Sequence, residues 1–227
     1  MRLIWRGFRG SVADACKADM NDDFINAESG AERRRKKEAW LRAVYERNLA
    51  QCLAVDISDA VTLARKAHAA MDKQLQQDSA TLPEGNEIRC GKGCSHCCHG
   101  PVEIWPQEAV LLAQFVRDAG LTPDLALLER QSRYTVETWR EQGVADQACV
   151  FLDAKSACSV YPSRPNTCRK LLVMSDPAFC DARQGRMDDI DRWFSWEAEM
   201  MEVAALEVFG KALLPRAVLQ ALQPKRS

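Results

Sequence analysis

Apolar positions recur at helical spacing over most of the chain. From about 31 to 53, Leu41, Val44, Tyr45, Asn48, Leu49 and Cys52 fall three or four apart and line one face, which predicts a helix. Asp56 is a good N-cap for a second helix, with Asp59 in its first turn. Ile57, Val61, Ala64, His68, Met71 and Leu75 then form a narrow seam, suited to packing against the first helix as a hairpin. His68 reads as a packing histidine within that seam. The polar stretch 74–86 contains Pro83 and Gly85 and reads as a linker.

Further on, 101–105 is short and extended. Pro106 suits the first turn of a helix over about 106–118, with Val110, Leu111, Phe115 and Val116 inward and a stop near Gly120. Thr122-Pro123 opens another helix, with Leu125, Leu128, Ser132, Thr135 and Trp139 on one face and an end near Gly143. The segment 149–176, with Pro162 and Pro165, is irregular. A last long helix is predicted over 188–209, its stripe made of Ile190, Trp193, Phe194, Met200, Met201, Ala204 and Val208, stopped by Gly210. A short helix at 214–222 and the basic tail Lys225-Arg226 follow. The expected fold is mainly α: a helical domain with irregular cysteine-rich loops gathered around a metal or iron–sulfur centre. The expected division is an N-terminal extension, 1–86, carrying the helical hairpin (about 31–78), and a cysteine-cluster domain with a helical C-terminus, 87–227.

Composition narrows the function classes. The chain has 227 residues, 47% hydrophobic and 28% charged, an ordinary globular balance. A net charge of −1 argues against a nucleic-acid binder, whose affinity comes from excess basic residues. The run Arg33-Arg34-Arg35-Lys36-Lys37 is diluted by Glu28, Glu32 and Glu38 and reads as a solvated helical face. No apolar run approaches the roughly 18 to 20 residues that span a bilayer, so no membrane is expected. Arg6 and Arg9 interrupt the first apolar patch before a signal-peptide core can form. A cytoplasmic location follows as an expectation. Residues 1–28 show no period, and Met20 opens a more conventional N-terminus, so residues 1–19 read as an over-called start.

The chemistry lies in the cysteines, ten in all. Cys90, Cys94, Cys97 and Cys98 fall within nine residues, and Cys149, Cys158 and Cys168 follow. In a reducing compartment, thiols this dense point to metal ligation rather than disulfides. Gly91 and Gly93 permit positive φ and a tight loop that lets sulfurs converge. Seven cysteines exceed one tetrahedral site. The side chains of Cys97 and Cys98 diverge, so one serves the main centre while the other serves a second centre, bridges, or stays a reactive thiol. Cys90, Cys94 and Cys97 share one loop, and any of Cys149, Cys158 or Cys168 can complete the set. Four thiolates leave a net −2 on Zn²⁺ or on a [4Fe–4S]²⁺ cluster, and Lys92, Arg89, Arg164, Arg169 and Lys170 lie beside them in sequence. His96 and His99 are further candidate ligands. Cys180 lies twelve residues after Cys168 and is set apart, and Cys16 and Cys52 read as structural or incidental.

The spacing Cys90-x₃-Cys94-x₂-Cys97-Cys98, then Cys149-Val150-Phe151-Leu152, then Cys158-Ser159-Val160-Tyr161-Pro162-Ser163-Arg164-Pro165-Asn166-Thr167-Cys168-Arg169, resembles the YkgJ-type cysteine-cluster family, a zinc- or iron-chelating CxxCxxCC domain. The resemblance runs over about 88–172. It implies metal binding, with Cys90, Cys94, Cys97, Cys98, Cys149, Cys158 and Cys168 as ligands, and brings no settled activity.

Three roles follow as expectations. The first is a non-catalytic metal-binding protein in redox, metal handling or assembly, with an iron–sulfur cluster favoured over Zn²⁺ by the cysteine number and the vicinal pair. The second is a cluster-dependent modifying enzyme, since flagellin lysine methylase looks similar around a comparable cysteine cluster. The third is a zinc-stabilised interaction module with a protein partner on the 31–78 region. The Cys-x₃-Cys-x₂-Cys spacing also occurs in radical S-adenosylmethionine enzymes. Here only 130 residues follow Cys97, and they read as helices rather than barrel units.

Overall fold

The structure, a computed structural model, describes residues 30–181 and 190–223. The proposed start at Met20, Cys16 and the tail Lys225-Arg226 lie outside the described residues. The chain divides into two compact units, Met1–Ala39 and Trp40–Ser227. Helix α1, Gly30–Leu53, begins in the first and continues into the second, where Val44 and Asn48 are its buried positions.

The second unit is organised around α3, Pro106–Asp118, found where the pattern predicts it. Its apolar positions run nearly all round the helix, which suits a central element covered on several sides, although Val110, expected inward, is 36% exposed because it shares the open face with Pro106 and Arg117. Ala109, Leu112 and Val116 pack with Leu128, Phe151, Val160, Leu214, Ala217 and Val218. Leu111 and Trp105 pack with Leu63, Ala64 and Ala205. These contacts bring α4 (Leu125–Gln131) and α9 (Leu214–Leu222) to one side, and α2 (Ala60–Ser79) and α8 (Trp196–Phe209) to the other. The seam of α2 finds its main partner in α3. Leu63, Ala64, His68, Met71 and Leu75 are buried, whereas Ile57 is 58% exposed. The N-cap is Asp59, whose carboxylate accepts from Thr62 N–H at 3.0 Å; Asp56 instead closes a turn onto Ser58.

Two predicted helices are shorter than their patterns suggest. The one opening at Thr122 starts at Leu125 behind the N-cap Asp124, breaks after Gln131, and resumes as the short turn α5, Val136–Trp139, capped by Thr135. A further turn, α6, covers Val144–Gln147. The last long helix starts at Trp196, because Ser195 accepts from Ala198 N–H as its cap. Just before it, Arg192–Trp193 is a strand, β3, paired antiparallel with β2, Leu172–Val173. The extended stretch near Ile104 likewise becomes β1, Glu103–Ile104, paired antiparallel with β4, Ala212–Leu213. These two-residue ladders tie the chain at long range around a mainly helical body. Among the described residues no helix is long and apolar enough to cross a membrane.

Candidate metal centre

The first cysteine loop is pinned at both ends. Arg89 N–H donates to Val173 O at 2.9 Å, and Val173 N–H returns a hydrogen bond to Cys90 Sγ at 3.3 Å. Gly93 turns the loop at φ 98°, where a side chain would be strained; Gly91 takes no positive φ. Residues His96–His99 then form one 3-10 turn, with Cys98 N–H bonded to Ser95 O and Gly100 N–H to Cys97 O. The indole of buried Trp139 donates to His99 O at 2.9 Å and fixes the far end.

The second set of cysteines is brought onto this turn by the backbone. Cys149 N–H donates to Cys98 O at 2.8 Å. The chain folds back through a turn at 153–157, where Asp153 Oδ1 accepts from Lys155 and Ala157 N–H groups and Ser156 adopts φ 58°. Leu152 consequently bridges Cys158. Pro165 starts the single-turn helix α7, Asn166–Arg169, which carries Cys168. The turn Pro177–Cys180 packs directly on the His96–His99 turn and adds Cys180, which is buried.

All seven predicted cysteines are thus gathered in one region, together with Cys180. Among the described residues every cysteine is a free thiol. Cys97 lies at the centre: Cys90, Cys98, Cys149, Cys158, Cys168 and Cys180 all lie within its electrostatic reach. Cys97 and Cys98 hydrogen-bond to each other, which draws the Cys97 thiol down and pushes Cys98 up. Burial pushes Cys149 to about 12, Cys180 to about 11, and raises Cys90, Cys158 and Cys168. Thiols so placed keep their protons at neutral pH unless a cation displaces them.

The sequence-predicted cations divide. Arg164 stands over Tyr161 at 4.0 Å from the ring centroid, and its charge reaches Cys90, Cys97 and Cys158. Arg169 instead clamps the loop: it pairs with both oxygens of Asp72 and donates to Pro162 O and Arg164 O. Lys170 pairs with Glu199, Arg89 with Glu87, and Lys92 is exposed. His96 Nδ1 lies 3.9 Å from Asp181 Oδ2, beyond hydrogen-bond reach, and His99 is buried; both Nδ1 atoms lack a hydrogen-bond partner.

Beneath the cysteines is a buried polar layer that the sequence pattern missed. Glu108 Oε1 accepts from Asn166 N–H at 2.7 Å and meets His68 Nε2 at 3.0 Å. Arg169 Nη2 faces His68 Nδ1 at 3.4 Å, so the proton belongs on Nε2. Burial and then the Arg169 charge hold His68 down at about 4, so its imidazole is neutral. Glu202, also buried, accepts from Thr167 Oγ1 at 3.0 Å. Burial raises both carboxyls. Both acids occupy helix faces that otherwise pack apolar groups, where a periodicity reading expects none.

The donor chemistry fits a thiophilic metal: eight free thiols, two orphaned imidazole nitrogens on the same turn as Cys97, and an arginine among them whose Nε is itself unpartnered. Among the described residues no three Cys, His, Asp or Glu side chains already converge as a formed metal site. The thiols are gathered, with Cys97 and Cys98 still paired to each other and Cys90 accepting from Val173 N–H.

Compared with protein-family models, residues 89–184 match the model named CxxCxxCC and described as a "Putative zinc- or iron-chelating domain". The matched segment is similar to that family over these residues. The CxxCxxCC match extends past the 88–172 expected from the motifs and takes in Cys180. Searches of curated proteins and of solved structures each returned no significant match. The helices α1 and α2 lie outside the CxxCxxCC segment.

Proposed function

We propose that the chain binds metal through Cys90, Cys94, Cys97, Cys98, Cys149, Cys158 and Cys168, as an iron–sulfur cluster in preference to Zn²⁺, and serves a non-catalytic role in redox, metal handling or assembly. The observation that carries this reading is the meeting of two cysteine sets, far apart in sequence, around Cys97. Metal binding is what the CxxCxxCC family is described as doing. The preference for iron–sulfur rests on the number of thiols and on Arg164. Clusters bound by cysteine in loops carry net negative charge, and a cation beside the sulfurs offsets it and raises the reduction potential. When bound, the metal centre supplies electron transfer if it is iron–sulfur and structural cross-linking if it is zinc. The protein's own residues hold the thiols together and shield them from solvent. A cytoplasmic location belongs to the same proposal.

The test is iron, zinc and acid-labile sulfide measured on protein purified without oxygen. Iron with matching sulfide supports the cluster; zinc without sulfide moves the assignment to a zinc module. Neither metal, with thiols free, defeats the reading. Cys94→Ser and Cys97→Ser should each lose bound metal, and Cys16→Ser should keep it. Full retention in the first two would overturn the ligand assignment.

A further inference from the structure

Cys180 changes the count. With it, the region holds eight thiols, and a zinc tetrahedron or an iron–sulfur cluster takes four protein thiolates. The chain also sorts them. Cys97 and Cys98 are consecutive in a 3-10 turn, where successive side chains point about 120° apart. The two sulfurs still meet each other, so the pair sits at the junction between the two cysteine sets, with Cys98 carrying the backbone bond to Cys149.

The surrounding backbone supplies different partners to the two sides. The turn Pro177–Cys180 lies against the His96–His99 turn, and β2, which leads into it, holds Cys90 through the Val173 N–H bond. Cys90 and Cys180 therefore hang from the two ends of one short segment, 173–180. The thiols within electrostatic reach of Cys180 are Cys97, Cys90 and Cys94. On the other side, Cys149 is bonded through its N–H to the carbonyl of Cys98, and the 149–158 fold brings Cys158 back beside it. Cys168 neighbours Cys149, Cys97 and Cys158, and Cys98 neighbours Cys97, Cys149 and Cys168, so Cys97 stands between the sets and, with four thiols already on the far side, completes the set of Cys90, Cys94 and Cys180. Arg164 reaches Cys90 and Cys97 on one side and Cys158 on the other, and so stands where two anionic centres would repel.

We infer that the eight cysteines form two adjacent four-thiolate metal sites, one of Cys90, Cys94, Cys97 and Cys180, the other of Cys98, Cys149, Cys158 and Cys168. The inference rests on the metal-binding reading above and assigns Cys180, which the motifs left aside, as a ligand. Loading breaks the Cys97–Cys98 thiol contact, releases the thiol protons to solvent, and forms a metal–sulfur bond from each sulfur; no electron moves.

The test is anaerobic titration of the full-length, metal-free, reduced protein with Co²⁺, whose thiolate-to-metal absorption reports sulfur ligation, and then with Zn²⁺. Wild type should load about two equivalents with tetrathiolate spectra. Cys180→Ser and Cys149→Ser should each keep one full tetrathiolate equivalent, and the double variant should keep none. Cys52→Ser, outside the cluster, should keep both. One equivalent in wild type, or two intact tetrathiolate equivalents in Cys180→Ser, overturns the two-site assignment while leaving metal binding in place. No thiolate-bound cobalt at all, with no iron or zinc in the purified protein, defeats the metal reading itself. The wild-type count decides the matter even where a variant fails to fold.

Discussion

Glu108 and Glu202 sit at 0% and 1% exposure, and burial raises the proton affinity of both. Their native pKa values therefore exceed the unfolded ones, so folding takes up protons and its stability is complete only below the unfolded carboxyl range. It is lost as pH rises through the folded values. His68 acts in the opposite sense, held at about 4 against 6.5 unfolded, so its contribution grows between those values and is constant above them. Above pH 6.5 His68 no longer contributes to the slope, and the acids titrate alongside Cys97, whose thiol is drawn down to about 7 and which acts in the opposite sense. Between pH 6.5 and 8 the unfolding free energy of the metal-free protein, followed by urea titration, should fall by on the order of 1 kcal/mol per pH unit for each carboxyl proton that the folded state alone retains. Glu202→Gln should flatten that slope; an unchanged slope would remove the carboxyls as its cause. These acids are illegible in sequence because each occupies an apolar helical face and gains its partners, Asn166 and Thr167, from residues nearly 60 and 35 positions away. The thiols at 90–98 were legible for the reverse reason: their spacing is local. Cys180 was not, since only the stacking of one 3-10 turn on another brings it near Cys97.

At the scale of elements, long periodic helices matched their patterns and interruptions did not. Helix α3 starts at Pro106 as read, because a proline at its first turn and the return bond from Glu108 to Trp105 N–H are local. The pattern from Leu125 to Trp139 looks continuous, yet Thr135 and Thr138 bond to each other's backbone and start a new turn. That break has a use. It leaves Trp139, 3% exposed, to donate its indole N–H to His99 O, at the end of the turn that carries Cys97 and Cys98. Trp139→Phe keeps an aromatic ring and leaves that carbonyl without its partner, at a cost of about 1–3 kcal/mol. If the bond positions the turn, metal affinity should fall by about tenfold for each 1.4 kcal/mol borne by the loaded state. A destabilised variant with wild-type zinc affinity in a competitive chelator titration would assign the bond to packing alone. The two-residue strands were beyond any pattern reading, because each is defined by a partner far along the chain.

The whole molecule separates its apolar core from its thiols. The clusters built on α3 use Leu112, Val116, Leu128 and Val218 on one side, and Leu63, Leu111 and Trp105 on the other. A third unites Met71, Leu75, Trp193 and Ala198. Cysteines enter only at the margins, Cys149 and Cys158 beside the first and Cys52 beside the second. A small zinc domain has no such core and unfolds without metal. Here the helices bury one another, with Phe151 and Val160 joining their core and Arg169 clamped to Asp72, whereas the cysteines of 90–99 are tied to those of 149–180 through few backbone bonds, those of Cys149 and Val173 among them. Removing metal with a chelator under reducing conditions should therefore leave most of the helical circular dichroism. Hydrogen exchange should divide along the same line. The amides of Cys149, bonded to Cys98 O, and of Val173, bonded to Cys90 Sγ, should lose protection by about tenfold or more. Those of Leu112 and Val116, buried on α3, should keep theirs. Loss of protection on α3 in step with the cysteine loops would show that the metal holds the entire unit together, and that the apolar core does not stand without it.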